Sequence, residues 1–250
     1  MTKRIRIFFI NCPSLAIDAA SFLLLAQNKV QNAIQFEVIH YWIFSDASPV
    51  KVDHLRGRIL SWRAEKQHLG IKWMEPKFRT MHDLRVAPEF GIELNLTNWR
   101  SVCKKAISDY DTWFSKCGYN TYDAFDSPAI VITETPLKGR YISYTGENIA
   151  LISAAYWKEF FAPGSALEFI LAAVQRAALR LCFGTKIGSH YPTRGCLWDF
   201  HCHQPDAKIS GFLGFLCETC SNGLKGNASP EEYLRWSNLA GHETLCKMGV

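Results

Sequence analysis

The 250-residue sequence contains no uninterrupted apolar run approaching the ~20 residues that a membrane span needs. It has no internal repeat and no low-complexity tract, so solenoid and disordered readings fall away. The turn after its first candidate strand, Cys12-Pro13-Ser14, carries no glycine-rich loop, which removes a nucleotide phosphate cradle at that point. A nucleophile-elbow motif is missing too, although catalytic triads also assemble from distant positions. The excess of one charge sign is small. The net charge is +5, and the basic residues stand in short clusters: Lys3, Arg4 and Arg6; Arg56, Arg58 and Arg63; Lys104 and Lys105. Dedicated nucleic-acid binders concentrate charge far more, so these clusters read as solvated faces of strands and helices.

What is present fits a globular chain with a sizeable core, since 48% of residues are hydrophobic and 20% charged. Lys3, Arg4 and Arg6 precede an apolar stretch, as in a secretion signal, but Pro13 and Asp18 interrupt it and no small-x-small cleavage site follows. Residues 1–27 therefore read as strand, turn and helix, and the expected location is cytoplasmic. Nine cysteines is a high number. Cys12, Cys103, Cys117, Cys182 and Cys246 are scattered without framework spacing, and in a reducing compartment they are expected to be small buried hydrophobes.

Periodicity gives the order of elements. Residues 4–11 read as a buried strand, 14–28 as a helix and 35–44 as a second strand, a parallel α/β opening. A helix over 52–68 is possible, and Asn98 is placed to cap a helix from Trp99 to about Cys117. Residues 129–135 form a clear strand, with further candidates at 140–144 and 149–153. The best-defined helix is 165–183: Ser165 and Glu168 make a capping box, Leu167, Ile170, Leu171, Val174, Ala178 and Leu181 form one apolar stripe, and Gly184 follows. A final helix is expected over 229–239. The fold expected is α/β, a mixed or parallel sheet flanked by helices. It is read as a single domain over 1–250, which divides if at all into 1–128 and 129–250, with the cysteine-bearing C-terminal segment at 184–224.

The chemistry concentrates in that segment. His190 and Cys196 are separated by five residues, and Cys217-x-x-Cys220 follows after twenty more. A C-x-x-C turn brings two sulfurs to one side, and a His/Cys pair across Gly195 would complete a tetrahedral Cys3His sphere. Such a sphere leaves no position for water, which makes the expected zinc structural rather than catalytic. His201, Cys202 and His203 are alternative ligands, and His201 and His203 with Asp199 and Asp206 could form a second metal site, or simply a polar loop. Asp109, Asp111, Asp123 and Asp126 read as helix-surface and turn residues. Glu134 and Glu147 flank strands.

The order of helix, glycine, turn and cysteines resembles the C-terminal half of the archaemetzincins, zinc metallopeptidases with the motif HExxHxxGxxHC-x4-C-x-M followed by C-x-x-C. In that family the histidines bind the catalytic zinc, the glutamate is the general base and four cysteines hold a second, structural zinc. The resemblance covers roughly residues 129–224. It implies that His190 stands near the first structural cysteine, Cys196 at the second, and Cys217 and Cys220 at the last pair. The catalytic half has no counterpart here. With Ser189 at the third histidine, Leu179, Arg180 and Phe183 occupy the positions of histidine, glutamate and histidine, and none of them can serve. The resemblance thus implies either a relative that kept the structural staple and lost the peptidase, or a separate family on a similar scaffold. The leading expectation is a non-catalytic subunit or adaptor that binds a protein partner, with a bacterial anti-phage system as a setting. The alternatives are a zinc-dependent hydrolase using His201, His203 and acidic residues, or a nucleic-acid-binding accessory protein using the basic clusters with Trp62, Trp73 and Trp99.

Overall fold

The computed structural model describes residues 3–10, 12, 17–30, 34–40, 94–116, 127–183, 189–191, 195–200, 210 and 216–225. The expected helices at 52–68 and 229–239 lie outside the described residues. In chain order the elements are β1 (Lys3–Phe9), α1 (Ile17–Val30), β2 (Ile34–His40), α2 (Trp99–Lys116), β3 (Ala129–Thr133), β4 (Ser143–Thr145), β5 (Ile149–Ser153), α3 (Trp157–Phe161), α4 (Ala166–Phe183) and α5 (Glu218–Lys225).

The strands form one five-stranded sheet in the order β2-β1-β3-β5-β4. Four are parallel, and β4 is an antiparallel edge paired to β5. The expected α/β sheet with flanking helices is therefore present, and it is mixed. The central strands are apolar on both sides because both faces are covered, the usual signature of parallel strands. Along β1 and its continuation, Ile5, Ile7 and Phe9 join one core while Phe8 and Ile10 join the other. The same alternation splits β3 at Ile130 and Ile132 against Val131, and β5 at Ala150 and Ile152 against Leu151.

The two cores define three layers. On one face, α1 contributes Ala20, Leu23 and Leu24, and α4 contributes the stripe from Phe169 through Leu181. On the other, α2 packs Trp99, Val102, Cys103, Ala106 and Ile107. Each fully buried leucine here, such as Leu171, contributes on the order of 1.5–3 kcal/mol of burial. The first core also takes in Cys196, Leu197, Trp198 and Cys220, so these residues are packed into the body. Among the described residues, no helix is long and apolar enough to cross a membrane.

Two readings need correcting. Arg6, assigned to a solvated basic cluster, is 3% exposed, and Asp111, assigned to a helix surface, is 1% exposed. The two meet across β1 and α2 in an ion pair of 2.6 Å. Lys3, Arg4, Lys104 and Lys105 are exposed as expected. At the start of α2, the Asn98 side chain accepts from the Asn95 N–H at 2.8 Å, and Asn95 in turn accepts from the Thr97 and Asn98 N–H groups. Asn98 thus sits at the cap position while its side chain braces the preceding turn.

Candidate metal centre

His190, Cys196, Cys217 and Cys220 come together beside the C-terminal half of α4, their ligand atoms all within 4.8 Å of one another. A tetrahedral zinc with bonds of roughly 2.0–2.1 Å to nitrogen and about 2.3 Å to sulfur requires ligand atoms ~3.6–3.8 Å apart. The cluster approaches that size: its ligand atoms lie within 4.8 Å of one another, and His190 Nε2 stands 3.2 Å from Cys217 Sγ. Three soft thiolates and one imidazole suit zinc, so the residues present fit the ion.

Local structure explains the convergence. His190 and Asp199 form an isolated bridge, in which the His190 N–H donates to the Trp198 carbonyl at 3.2 Å and the Phe200 N–H to the His190 carbonyl at 2.9 Å. Between them the chain turns through Gly195, whose φ of 85° is a left-handed conformation that a β-carbon would strain. The turn places Cys196 fully inside, where its sulfur accepts from the Trp198 N–H at 3.5 Å and the Cys217 N–H at 3.3 Å. Cys217 stands at the N-cap of α5, its carbonyl accepting the Ser221 N–H at 2.8 Å, and Cys220 lies in the first turn of that helix. The eight residues of α5 are few and weakly apolar, which is why periodicity does not announce this helix.

Electrostatics distinguish the three thiols. Burial pushes Cys217 up, but hydrogen bonds from the Cys220 and Thr219 backbone and from the Cys220 and Cys196 side chains outweigh it, so Cys217 ends below the ordinary thiol value. Burial and the neighbouring cysteines hold Cys196 and Cys220 above it. Three thiolates this close repel one another, and a dication is the charge that would let all three ionise together. Arg176 on α4 donates to the Asp199 carbonyl at 2.8 Å. Burial, then Arg180, push its guanidinium down to about 9, while Asp199 and Cys196 work in the other direction.

Asp199 was missed as part of this centre. The sequence reading set it beside His201 and His203, whereas it is fully buried and stands against His190, with 3.0 Å between Oδ1 and Nδ1. Its Oδ2 accepts from the Gly195 N–H at 2.7 Å and the Cys196 N–H at 2.9 Å, with the Ser210 hydroxyl at 3.5 Å. The sequence offers only an acid three residues beyond a candidate ligand cysteine, and its burial and its partners depend on the fold. His201, Cys202, His203 and Asp206 lie outside the described residues.

Leu179 and Arg180 lie in the C-terminal half of α4. Leu179 is fully buried in the core, and Arg180 donates to the Ser189 hydroxyl. Glu168 and Ser165 close the expected capping box, the Glu168 N–H donating to the Ser165 hydroxyl at 3.2 Å and the Ser165 N–H to the Glu168 carboxylate at 2.6 Å.

No family model matches the chain. No curated protein matches it either. Among solved structures it is similar to archaemetzincin from Methanopyrus kandleri, at 12% identity over 90% of this chain and 95% of that one, with a TM-score of 0.48. A likeness of that size assigns neither a family nor an activity.

Proposed function

We propose that this chain is a non-catalytic scaffold, stapled by one structural zinc, that works by binding another protein. The observation that carries the reading is the donor set itself. His190, Cys196, Cys217 and Cys220 supply four ligand atoms within 4.8 Å, which fills a tetrahedral ion and leaves no position for a water nucleophile. The helix that would have to carry a peptidase motif, α4, has no histidine, and its Glu168 is engaged at the cap.

Tyr191 and Phe200 support the binding half of the proposal. They adjoin His190 and Asp199 in sequence and are 69% and 48% exposed, so the zinc-held turn presents aromatic side chains outward. Aromatic residues of this kind are favoured at protein interfaces. The nucleic-acid alternative loses support from two of its own residues, because Arg6 is in the ion pair with Asp111 and Trp99 is buried against Tyr144. An anti-phage system is one setting for such a subunit and adds nothing to the argument from the residues.

Cobalt(II) substitution tests the closed sphere. Cobalt in a four-ligand Cys3His site is expected to give a thiolate charge-transfer and d–d spectrum that added cyanide or azide leaves unchanged. An open hydrolytic site would take up the anion and shift its d–d bands, which would overturn the non-catalytic reading. For the binding half, Tyr191→Ser/Phe200→Ser is expected to keep its zinc and lose any partner that co-purifies with the wild type. A double variant that retains the partner in full would remove this surface from the proposal.

A further inference from the structure

We infer that Asp199 is a positioning residue for the zinc centre, setting the tautomer of His190 so that Nε2 is free to bind the ion. The inference rests on the zinc reading above and adds a role that the four ligands do not explain. Neutral imidazole carries one proton, and it binds a metal only through the nitrogen that lacks it. His190 Nδ1 stands 3.0 Å from Asp199 Oδ1, and since a carboxylate can only accept, this contact favours the tautomer with its proton on Nδ1. In that tautomer Nε2 keeps its lone pair, and Nε2 is the nitrogen that faces Cys217 Sγ at 3.2 Å.

The second carboxylate oxygen keeps Asp199 itself in place. Oδ2 takes the Gly195 and Cys196 N–H groups, which belong to the turn that carries the ligand Cys196. The main chain of Asp199 is held as well, by the Arg176 guanidinium on its carbonyl and by its own N–H donating to the Cys196 carbonyl at 3.0 Å. One buried side chain therefore links the imidazole ligand to the turn of a thiolate ligand. Where a carboxylate accepts from the second nitrogen of a metal-binding histidine, it fixes both ring orientation and tautomer.

Asp199→Asn separates the two jobs. Its amide oxygen can still accept from Gly195 and Cys196, while its NH2 group would face Nδ1 and draw the proton to Nε2, the tautomer that cannot bind. Zinc affinity would be measured by chelator competition on the full chain, for Asp199→Asn in the wild-type background and in His190→Cys, where no imidazole needs orienting. The expected result is a loss of about 10–100-fold in the wild-type background and an unchanged affinity in the His190→Cys background. Equal losses in both backgrounds, or no loss in either, would overturn the tautomer role while leaving zinc in the wild type. A wild type that binds no zinc would instead overturn the zinc reading beneath it. Should the Asn variant fail to fold, the 15N shifts of His190 in zinc-loaded wild type decide the matter, with a protonated Nδ1 expected and a protonated Nε2 contradicting the inference.

Discussion

Arg6 and Asp111 illustrate how a single side chain can carry more of the fold than its sequence neighbourhood suggests. They lie 105 positions apart and meet in the core between β1 and α2, with side-chain exposures of 3% and 2%. Burial raises the Asp111 carboxyl, and the Arg6 guanidinium opposes it by charge and hydrogen bond. Removing one partner leaves the other charged and buried, so Asp111→Ala is expected to cost about 3–5 kcal/mol in urea unfolding. Arg6→Met/Asp111→Leu is expected to recover most of that loss, since the apolar pair needs no counter-charge. The cysteines make a second contrast. Burial pushes Cys103 and Cys182 up to about 12, which keeps them as unreactive thiols at neutral pH. Iodoacetamide on the folded, metal-free protein is expected to label Cys217 ahead of Cys103, Cys182 and Cys12, and zinc to protect Cys217; mass spectrometry of the peptides reads both.

Among the elements, α4 is the one whose limits are set by a few named atoms. Hydrogen bonds from the Ser165 backbone and then its side chain hold the Glu168 carboxyl below the ordinary carboxylate value, against a small effect of burial. A carboxyl lowered in the folded state contributes stability that is complete above its unfolded value, near 4.3, and is lost as the pH falls through the folded one. Ser165→Ala is accordingly expected to lose about 0.5–2 kcal/mol at pH 7. Glu168→Gln should show a smaller loss that shrinks as the pH is lowered through the carboxylate range; thermal melts across pH 2–7 check both. A loss for Glu168→Gln that grew toward low pH would contradict the cap. This helix was legible in the sequence because its apolar residues recur at the helical period, and β1, β3 and β5 because they are short, nearly continuous apolar runs. What was not legible has a physical reason in each case. The edge strand β4 overlaps the candidate at 140–144, but in three residues its limits and antiparallel pairing are not readable; α5 is short and starts just after Cys217 without an apolar stripe; and the Arg6–Asp111 and His190–Asp199 pairs depend on how distant segments or a left-handed turn fold together. The four residues of the candidate centre were legible from spacing and donor type, whereas the carboxylate behind them was not.

Taken together, the layers explain why an ion held by these four side chains would matter to the whole described body. The core that holds α1, α4 and one face of the sheet extends without a break to Cys196, Trp198 and Cys220. A zinc ion binding the four side chains would tie the turn at Gly195 and the start of α5 to that core, and structural zinc of this kind contributes directly to folding free energy. Removing it should therefore lower the stability of the whole body rather than loosen one loop. Elemental analysis of the purified chain, run beside thermal unfolding of wild type and Cys217→Ser/Cys220→Ser, examines this proposal at its root. One zinc per wild-type chain, absent from the variant together with a lower melting temperature, is the expected result. A metal-free wild type, or a variant that keeps both its zinc and its melting temperature, would contradict it.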